Sequence, residues 1–331
     1  MVKKQVKQAL IASGILRFAG RLRSKGAAIL MYHSVLDDPS QVVDSLGGIS
    51  HPCLIFERQM ELLAREFNPV TLDQVARFVR GKQDLPERPV VVTFDDGYVD
   101  NYEVAMPILD RAGVPATFYV TVDCVETRRL PWPSRLRFSF RTTSKQNCPD
   151  ETGKVWNLGS QHERDLAYLA VCDRVSSLAG ADQERRVLQI ESELDARLPD
   201  DAGQLMMTWD QIQSLAQHGH IVGSHTMTHP NMAYVRIEEA RREFVESKHQ
   251  MEAHIKTNII HFSYPCPALY PNWTEQTAEE SQRAGYETAV TTSLGLSRKG
   301  DNPLALKRVR PTRTVDGLRW NLETAFAGRA V

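Results

Sequence analysis

Cysteine is scarce in this chain of 331 residues, and what there is does not pair up. Cys53, Cys124, Cys148, Cys172 and Cys266 are its five cysteines. They lie far apart with no C-x-x-C spacing, which excludes a disulfide framework and a thiolate zinc knuckle and reads as reduced thiols. Net charge is also nearly absent: 40 basic residues face 41 acidic ones, for a formal charge of -1. No overall field therefore draws the chain to nucleic acid. No apolar run approaches the ~20 residues of a membrane span, and no repeat or low-complexity tract occurs. The apolar stretch Ala9 to Leu16 is short and lacks a small-residue cleavage site, so it does not read as a secretory leader. The expectation is a cytoplasmic protein, peripheral at most on the inner face of the membrane.

What is present is ordinary globular material, 42% apolar, enough for a sizeable core. Residues 1–25 form a basic amphipathic segment, with Val6, Leu10, Ile11, Ile15, Phe18 and Leu22 at helical spacing among lysines and arginines. Such a helix docks on its own domain or lies on an anionic membrane surface, and periodicity does not separate the two. From residue 26 to 331 short apolar runs alternate with helical patterns. Strands are expected at Ala27 to His33, Pro89 to Phe94, Ala116 to Val122, His220 to Ser224, Ile259 to Tyr264, Glu287 to Thr291 and Ala305 to Val309. Capping-box patterns at Thr71 and Thr208 open two of the intervening helices. Leu36 to Pro52 reads as a loop. Such alternation implies a parallel sheet or barrel in an α/β fold. It is interrupted from about residue 130 to 205 by an insertion with two expected helices, near His162 to Leu178 and Gln183 to Leu198.

Two motifs stand at strand ends. Asp95-Asp96-Gly97 follows a strongly β-prone run, which puts two carboxylates at the C-terminal end of a buried strand, where parallel α/β folds place their sites. By itself Asp-Asp-Gly is an ordinary turn. His225 and His229, in Ser224-His225-Thr226-Met227-Thr228-His229-Pro230, also follow a strand, and Pro230 favours a turn over a helix there. Alone, that pair too is unremarkable. Together the motifs supply two imidazoles and a carboxylate, the donor set of an open catalytic metal site.

With these residues in place the sequence resembles the polysaccharide deacetylase family, the NodB-homology domain of carbohydrate esterase family four. Thr93-Phe94-Asp95-Asp96-Gly97 resembles its first motif and Ser224 to His229 its second. The resemblance spans roughly Ala27 to Val125 and Met206 to Arg310. It implies a distorted parallel (β/α) barrel of about seven strands, with Asp95 as catalytic base and Asp96, His225 and His229 as ligands of a divalent metal; zinc suits these donors, though the same set accepts other divalent metals. The implied reaction is removal of N-acetyl groups from a carbohydrate, a cell-surface polysaccharide or its precursor. Tyr264 and Pro265, in the third-motif stretch Phe262-Ser263-Tyr264-Pro265-Cys266, are implied substrate contacts.

The chain departs from the family pattern in three places. The third motif lacks the arginine that steadies the base. The fourth motif is not recognisable. The late histidine that supplies the general acid is absent, with Arg308-Val309-Arg310 standing in its place. Met31-Tyr32-His33 resembles the opening of the permuted poly-N-acetylglucosamine branch, which implies that His33 is the acid. Two rival readings remain: a non-catalytic carbohydrate-binding module on the same fold, favoured by the missing arginine, and a deformylase of a lipid-linked sugar, favoured by the basic N-terminus.

Overall fold

The computed structural model describes residues 7, 10, 13–23, 25–36, 49–150 and 152–329. Most of the N-terminal segment before Ser13, and most of the stretch read as a loop after Leu36, lie outside them.

Seven parallel strands form a ring among the described residues, and each pairs with its neighbour in sequence: β1 (Gly26–Tyr32), β2 (Pro89–Phe94), β3 (Ala116–Val120), β4 (Ile221–Ser224), β5 (His261–Ser263), β6 (Thr288–Leu294) and β7 (Leu306–Arg308). The ring closes through a parallel bridge between Leu30 and Val309, where Val309 N donates to Ile29 O at 2.7 Å. The barrel is distorted where pairing is thin. β4 and β5 share a single register pair, Ser224 with Phe262, and β6 slips against β7 between Val290 and Leu294. Two short strands, Asn68–Pro69 and Ser297–Arg298, attach to β2 and β1.

The strands read as apolar runs because most are covered on both faces. Every residue of β2 and β3 is buried, as expected of a parallel sheet wrapped by helices. Both expected capping boxes form: Thr71 accepts from Gln74 N and Thr208 from Gln211 N. The helix that follows β2 opens as a π-turn, Asn101–Ala105, before continuing as Met106–Ala112.

Between β3 and β4 the insertion builds a second hydrophobic cluster around Trp132, Leu136, Phe140, Tyr168 and Ile190. Its helices Gln161–Val175 and Gly180–Glu193 match the two expected. A third, Trp132–Thr142, and a hairpin of Asn147–Pro149 with Val155–Asn157 do not follow from the periodicity. The helix Ile15–Arg23 packs against a C-terminal helix, Val315–Phe326, that the sequence did not announce. Its Ile15 and Phe18 remain exposed. No described helix is long and apolar enough to cross a membrane.

Candidate active site

The C-terminal ends of the barrel strands converge on a cavity of about 310 Å³, lined among others by His33, His51, Asp95, Asp96, His225 and His229, within the size range of small-ligand pockets. Asp95 and Asp96 arrive at the end of β2. Asp96 adopts a left-handed φ of 79° and Gly97 one of 91°. Aspartate tolerates that region and glycine enters it freely, so the chain turns sharply and both carboxylates stay at the barrel mouth. The two histidines leave β4 through a turn rather than a helix, with Thr226 and His229 also at positive φ, 70° and 63°. That strained turn is held from behind. Glu243 accepts from Met227 N at 2.8 Å, Thr228 N at 3.0 Å and Thr228 Oγ1 at 2.6 Å, and His229 N donates to Thr226 Oγ1 at 2.9 Å. Just before it, β4 passes so close to β3 and β5 that a Cβ on Gly223 would lie 2.7 Å from the Tyr119 ring and 2.8 Å from His261 O.

Asp96, His225 and His229 come together as a metal-binding geometry requires. One donor atom from each lies within 4.8 Å of the others, and all three residues are buried. Asp96 Oδ1 is 3.4 Å from His225 Nε2 and 3.2 Å from His229 Nε2. Among the described residues it has no partner of hydrogen-bond geometry, an uncommon state for a buried carboxylate oxygen. A cation among the three would satisfy it, so the donor set fits a divalent ion. Burial raises the Asp96 pKa, but His225 and His229 outweigh it and hold the carboxyl well below its ordinary value. Burial also lowers the His229 pKa, keeping that ring in the neutral form a ligand needs. His225 Nδ1 is 2.7 Å from Ser263 O; a proton donated there leaves Nε2 free to face Asp96.

Asp95 sits apart from this triad. Arg308 Nη1 reaches both its oxygens, at 2.9 Å and 2.8 Å, and Ser263 Oγ donates to Oδ1 at 3.1 Å. Burial pushes the carboxyl up, yet Arg308, His225 and His33 more than offset it and hold it below the ordinary range. The arginine absent from the third motif is thus supplied by the end of β7, from the stretch that the sequence set against the missing late histidine. Arg308 is almost fully buried, and Nε donates to Thr291 O at 2.8 Å.

His33 follows β1 with Nε2 3.9 Å from Asp95 Oδ2 and its side chain 21% exposed, so it faces the cavity on the side of Asp95. Its backbone is clamped by Asp100 and Asn101, a few residues after Asp95. Asn101 Nδ2 donates to His33 O at 2.7 Å, while Asp100 accepts from Ser34 Oγ at 2.7 Å and Val35 N at 2.9 Å. Burial raises the pKa of Asp100 to about 7.

Tyr264 lines the cavity floor, but its hydroxyl points to Ser281 Oγ at 3.5 Å, and the ring is fully buried. Pro265 is not among the lining residues; Cys266 and Pro267 are. Arg310 and Tyr270 meet at the rim, Nη2 to the phenol oxygen at 3.1 Å. In the sequence Arg308 stands out only as occupying the place of the missing late histidine, with nothing to link it to Asp95, and His51 carries no signal at all.

The polysaccharide deacetylase family model matches residues 82–289, more than half of the chain, and the chain belongs to that family of carbohydrate-acting enzymes. It is 24% identical over 292 residues to the Bacillus subtilis (strain 168) protein YxkH, covering 87% of this chain and 72% of that one. A shorter stretch of 61 residues is 39% identical to the poly-beta-1,6-N-acetyl-D-glucosamine N-deacetylase of Escherichia coli (strain K12), covering 18% of this chain and 9% of that protein. Among solved structures, the Streptococcus pyogenes deacetylase PplD, in complex with acetate, superposes with a TM-score of 0.60 at 18% identity, over 90% of this chain and 98% of that one. At that identity the likeness concerns the fold.

Proposed function

We propose that the protein is a metal-dependent hydrolase that removes N-acetyl groups from a cell-surface polysaccharide or its precursor. The observation that carries this reading is the division of labour at the barrel mouth. One buried carboxylate, Asp96, faces two imidazoles and has an unsatisfied oxygen, while the next, Asp95, is locked in its charged form by Arg308.

A divalent ion held by Asp96, His225 and His229, zinc by preference of the donors, would lower the pKa of a coordinated water toward ~7 and polarise an acyl carbonyl. Asp95 takes a proton from the water that attacks the carbonyl carbon, and Arg308 keeps that carboxylate ionised and aimed. His33, on the same side of the cavity, gives a proton to the departing nitrogen, without which an amide leaves poorly. The C–N bond breaks, and the products are acetate and a free amine on the sugar. The Arg308–Asp95 pair also removes the argument for a non-catalytic module, which rested on the absent arginine. The name of the Escherichia coli relative makes β-1,6-linked N-acetylglucosamine the first polymer to try.

The decisive measurement is acetate release from N-acetylglucosamine oligomers before and after chelation. Activity lost with chelator and restored by zinc supports the reading; release of formate alone from a formylated sugar would replace it. Within an active enzyme, His33→Ala should suppress amide hydrolysis far more than hydrolysis of an activated acetyl ester, whose leaving group needs no proton. Equal losses on both would remove His33 from the acid role.

A further inference from the structure

One wall of the cavity carries a histidine that the chemistry above does not use. His51 lies in a three-residue strand, Ser50–Pro52, that runs parallel to Ser34–Leu36 directly after His33. The register pairs Ser34 with Ser50 and Val35 with His51. Side chains alternate along a strand and paired residues share a face, so His33, Ile49 and His51 project to the same side. All three line the catalytic cavity. Arg313 Nε fixes the strand by donating to Ser50 O at 2.9 Å. The imidazole packs edge-on against Tyr32, with ring centroids 4.9 Å apart.

His51 is 3% exposed; its ring lies near the Ile49 backbone, but neither nitrogen forms a well-aligned hydrogen bond among the described residues. Leaving a buried polar group unpaired costs roughly 1–3 kcal/mol, and this incompletely paired ring lines the cavity. Burial, with His33 adding to it, pushes its pKa down to about 4. At neutral pH the ring therefore offers one N–H donor and one nitrogen acceptor. A hydroxyl group both gives and takes a hydrogen bond. The ring's position decides which hydroxyl: it stands beside His33, the group assigned to the departing nitrogen.

We infer that His51 is a substrate-contacting residue that binds the hydroxyl on the sugar carbon adjacent to the acylamido-bearing carbon, the C3 hydroxyl of an N-acetylglucosamine unit. The inference rests on the deacetylase reading for its substrate class. The contact would lock the sugar ring so that its acylamido group enters the cavity in one orientation, making His51 a determinant of which sugar is accepted.

The test is a cycle of binding measurements on the zinc-loaded full-length chain in an Asp95→Asn background, which prevents turnover. The probes are a β-1,6-linked N-acetylglucosamine pentamer and its 3-deoxy counterpart, titrated by calorimetry. His51→Phe keeps the edge-on contact with Tyr32 and removes both nitrogens, while His51→Gln retains a donor and an acceptor. His51→Phe should weaken pentamer binding ~10-fold, the upper end for one hydrogen bond. The 3-deoxy pentamer should bind the His51 protein more weakly by the same factor, and the Phe variant should lose nothing further on it. His51→Gln should recover part of the loss. Unchanged melting temperature and metal content confirm that folding and the metal site survive. Equal weakening of both sugars by His51→Phe, or no weakening of either, overturns the contact. So does failure of the pentamer to bind at all. If the cycle closes as expected but the enzyme with Asp95 intact releases no acetate from the pentamer, the deacetylase reading falls while the contact stands.

Discussion

The barrel mouth and the insertion solve opposite problems with the same kinds of residue. In the insertion, most charged groups are paired: Arg135 meets Glu184 at 2.6 Å and Glu191 at 2.8 Å, over an apolar cluster of its own. The atoms there without a well-aligned hydrogen bond among the described residues, Arg137 Nε and Tyr168 Oη, face no catalytic cavity. At the barrel mouth the polar atoms are deliberately left incomplete. Among the described residues, Asp96 Oδ1 and the His51 ring nitrogens are buried without a well-aligned hydrogen bond, and Asp95 is held in its charged form although buried. Closed ion pairs serve structure, whereas unsatisfied groups around a cavity mark the place where a ligand completes the network. The two regions meet at several polar points, among them Tyr98 Oη with Ser134 Oγ at 2.7 Å and Asn231 N donating to Ser176 O at 3.0 Å. Trp132 Nε1 donates to His229 O at 2.9 Å, Gly180 N to Thr228 Oγ1 at 3.1 Å, and Pro131, Pro133 and Ser134 form part of the cavity wall.

The largest effect should come from the incomplete network. His229→Ala removes one of three donors and leaves Asp96 with a single imidazole; bound zinc should fall from stoichiometric to trace by elemental analysis, and hydrolysis with it. Stoichiometric metal in that variant would break the assignment of the triad. Asp95→Asn should keep the metal, because the triad does not need it, yet cut turnover by the ~10²–10⁴-fold typical of a lost general base. Elemental analysis alongside acetate release separates these two outcomes.

Much of this contrast was legible in the chain, and the parts that were not share a physical reason. The seven strands, the pair Asp95 and Asp96, and the pair His225 and His229 declare themselves through short-range spacing, because one strand end presents each pair. Arg308 reaches Asp95 across 213 positions of sequence, a distance over which no local pattern speaks. His51 was hidden in a stretch that read as a loop, since a three-residue strand is too short to show alternation. The helix Trp132–Thr142 opens with Pro133 in its first turn, where proline is tolerated although it looks like a breaker. The turn at His225 to His229, by contrast, followed from Pro230 alone.

Arg308 gives a sharper test of how burial and pairing balance at the base. Burial raises the Asp95 pKa and Arg308 is the first of the groups that bring it down. Removing the guanidinium in Arg308→Met leaves burial less opposed, so the folded-state pKa must rise. The acidic limb of the rate–pH profile should then move toward neutral pH. At pH 6 the variant should be slower by about 10–10²-fold, with part of the loss regained as pH increases and Asp95 ionises. A parallel profile, merely lower at every pH, would mean that Arg308 aims the base without setting its charge.

The smallest effect should appear where the two regions touch. Trp132 packs in the insertion's cluster, but its indole N–H reaches across to the backbone carbonyl of His229, a proposed metal ligand. His229 sits at positive φ, so its turn relies on such outside support. Trp132→Phe keeps most of the apolar contact and deletes that single donor. A lost neutral hydrogen bond is worth ~0.5–1.5 kcal/mol, which predicts a 2–10-fold fall in zinc affinity, read by competition with a chelating dye. Turnover at saturating zinc should change less than that, because Asp95, Arg308 and His33 belong to other strand ends. If zinc affinity does not move while the KM for an oligomer does, the insertion acts on the site only as a wall. If both stay fixed, the contact between Trp132 and His229 is packing, and the barrel holds its metal ligands without help from the insertion.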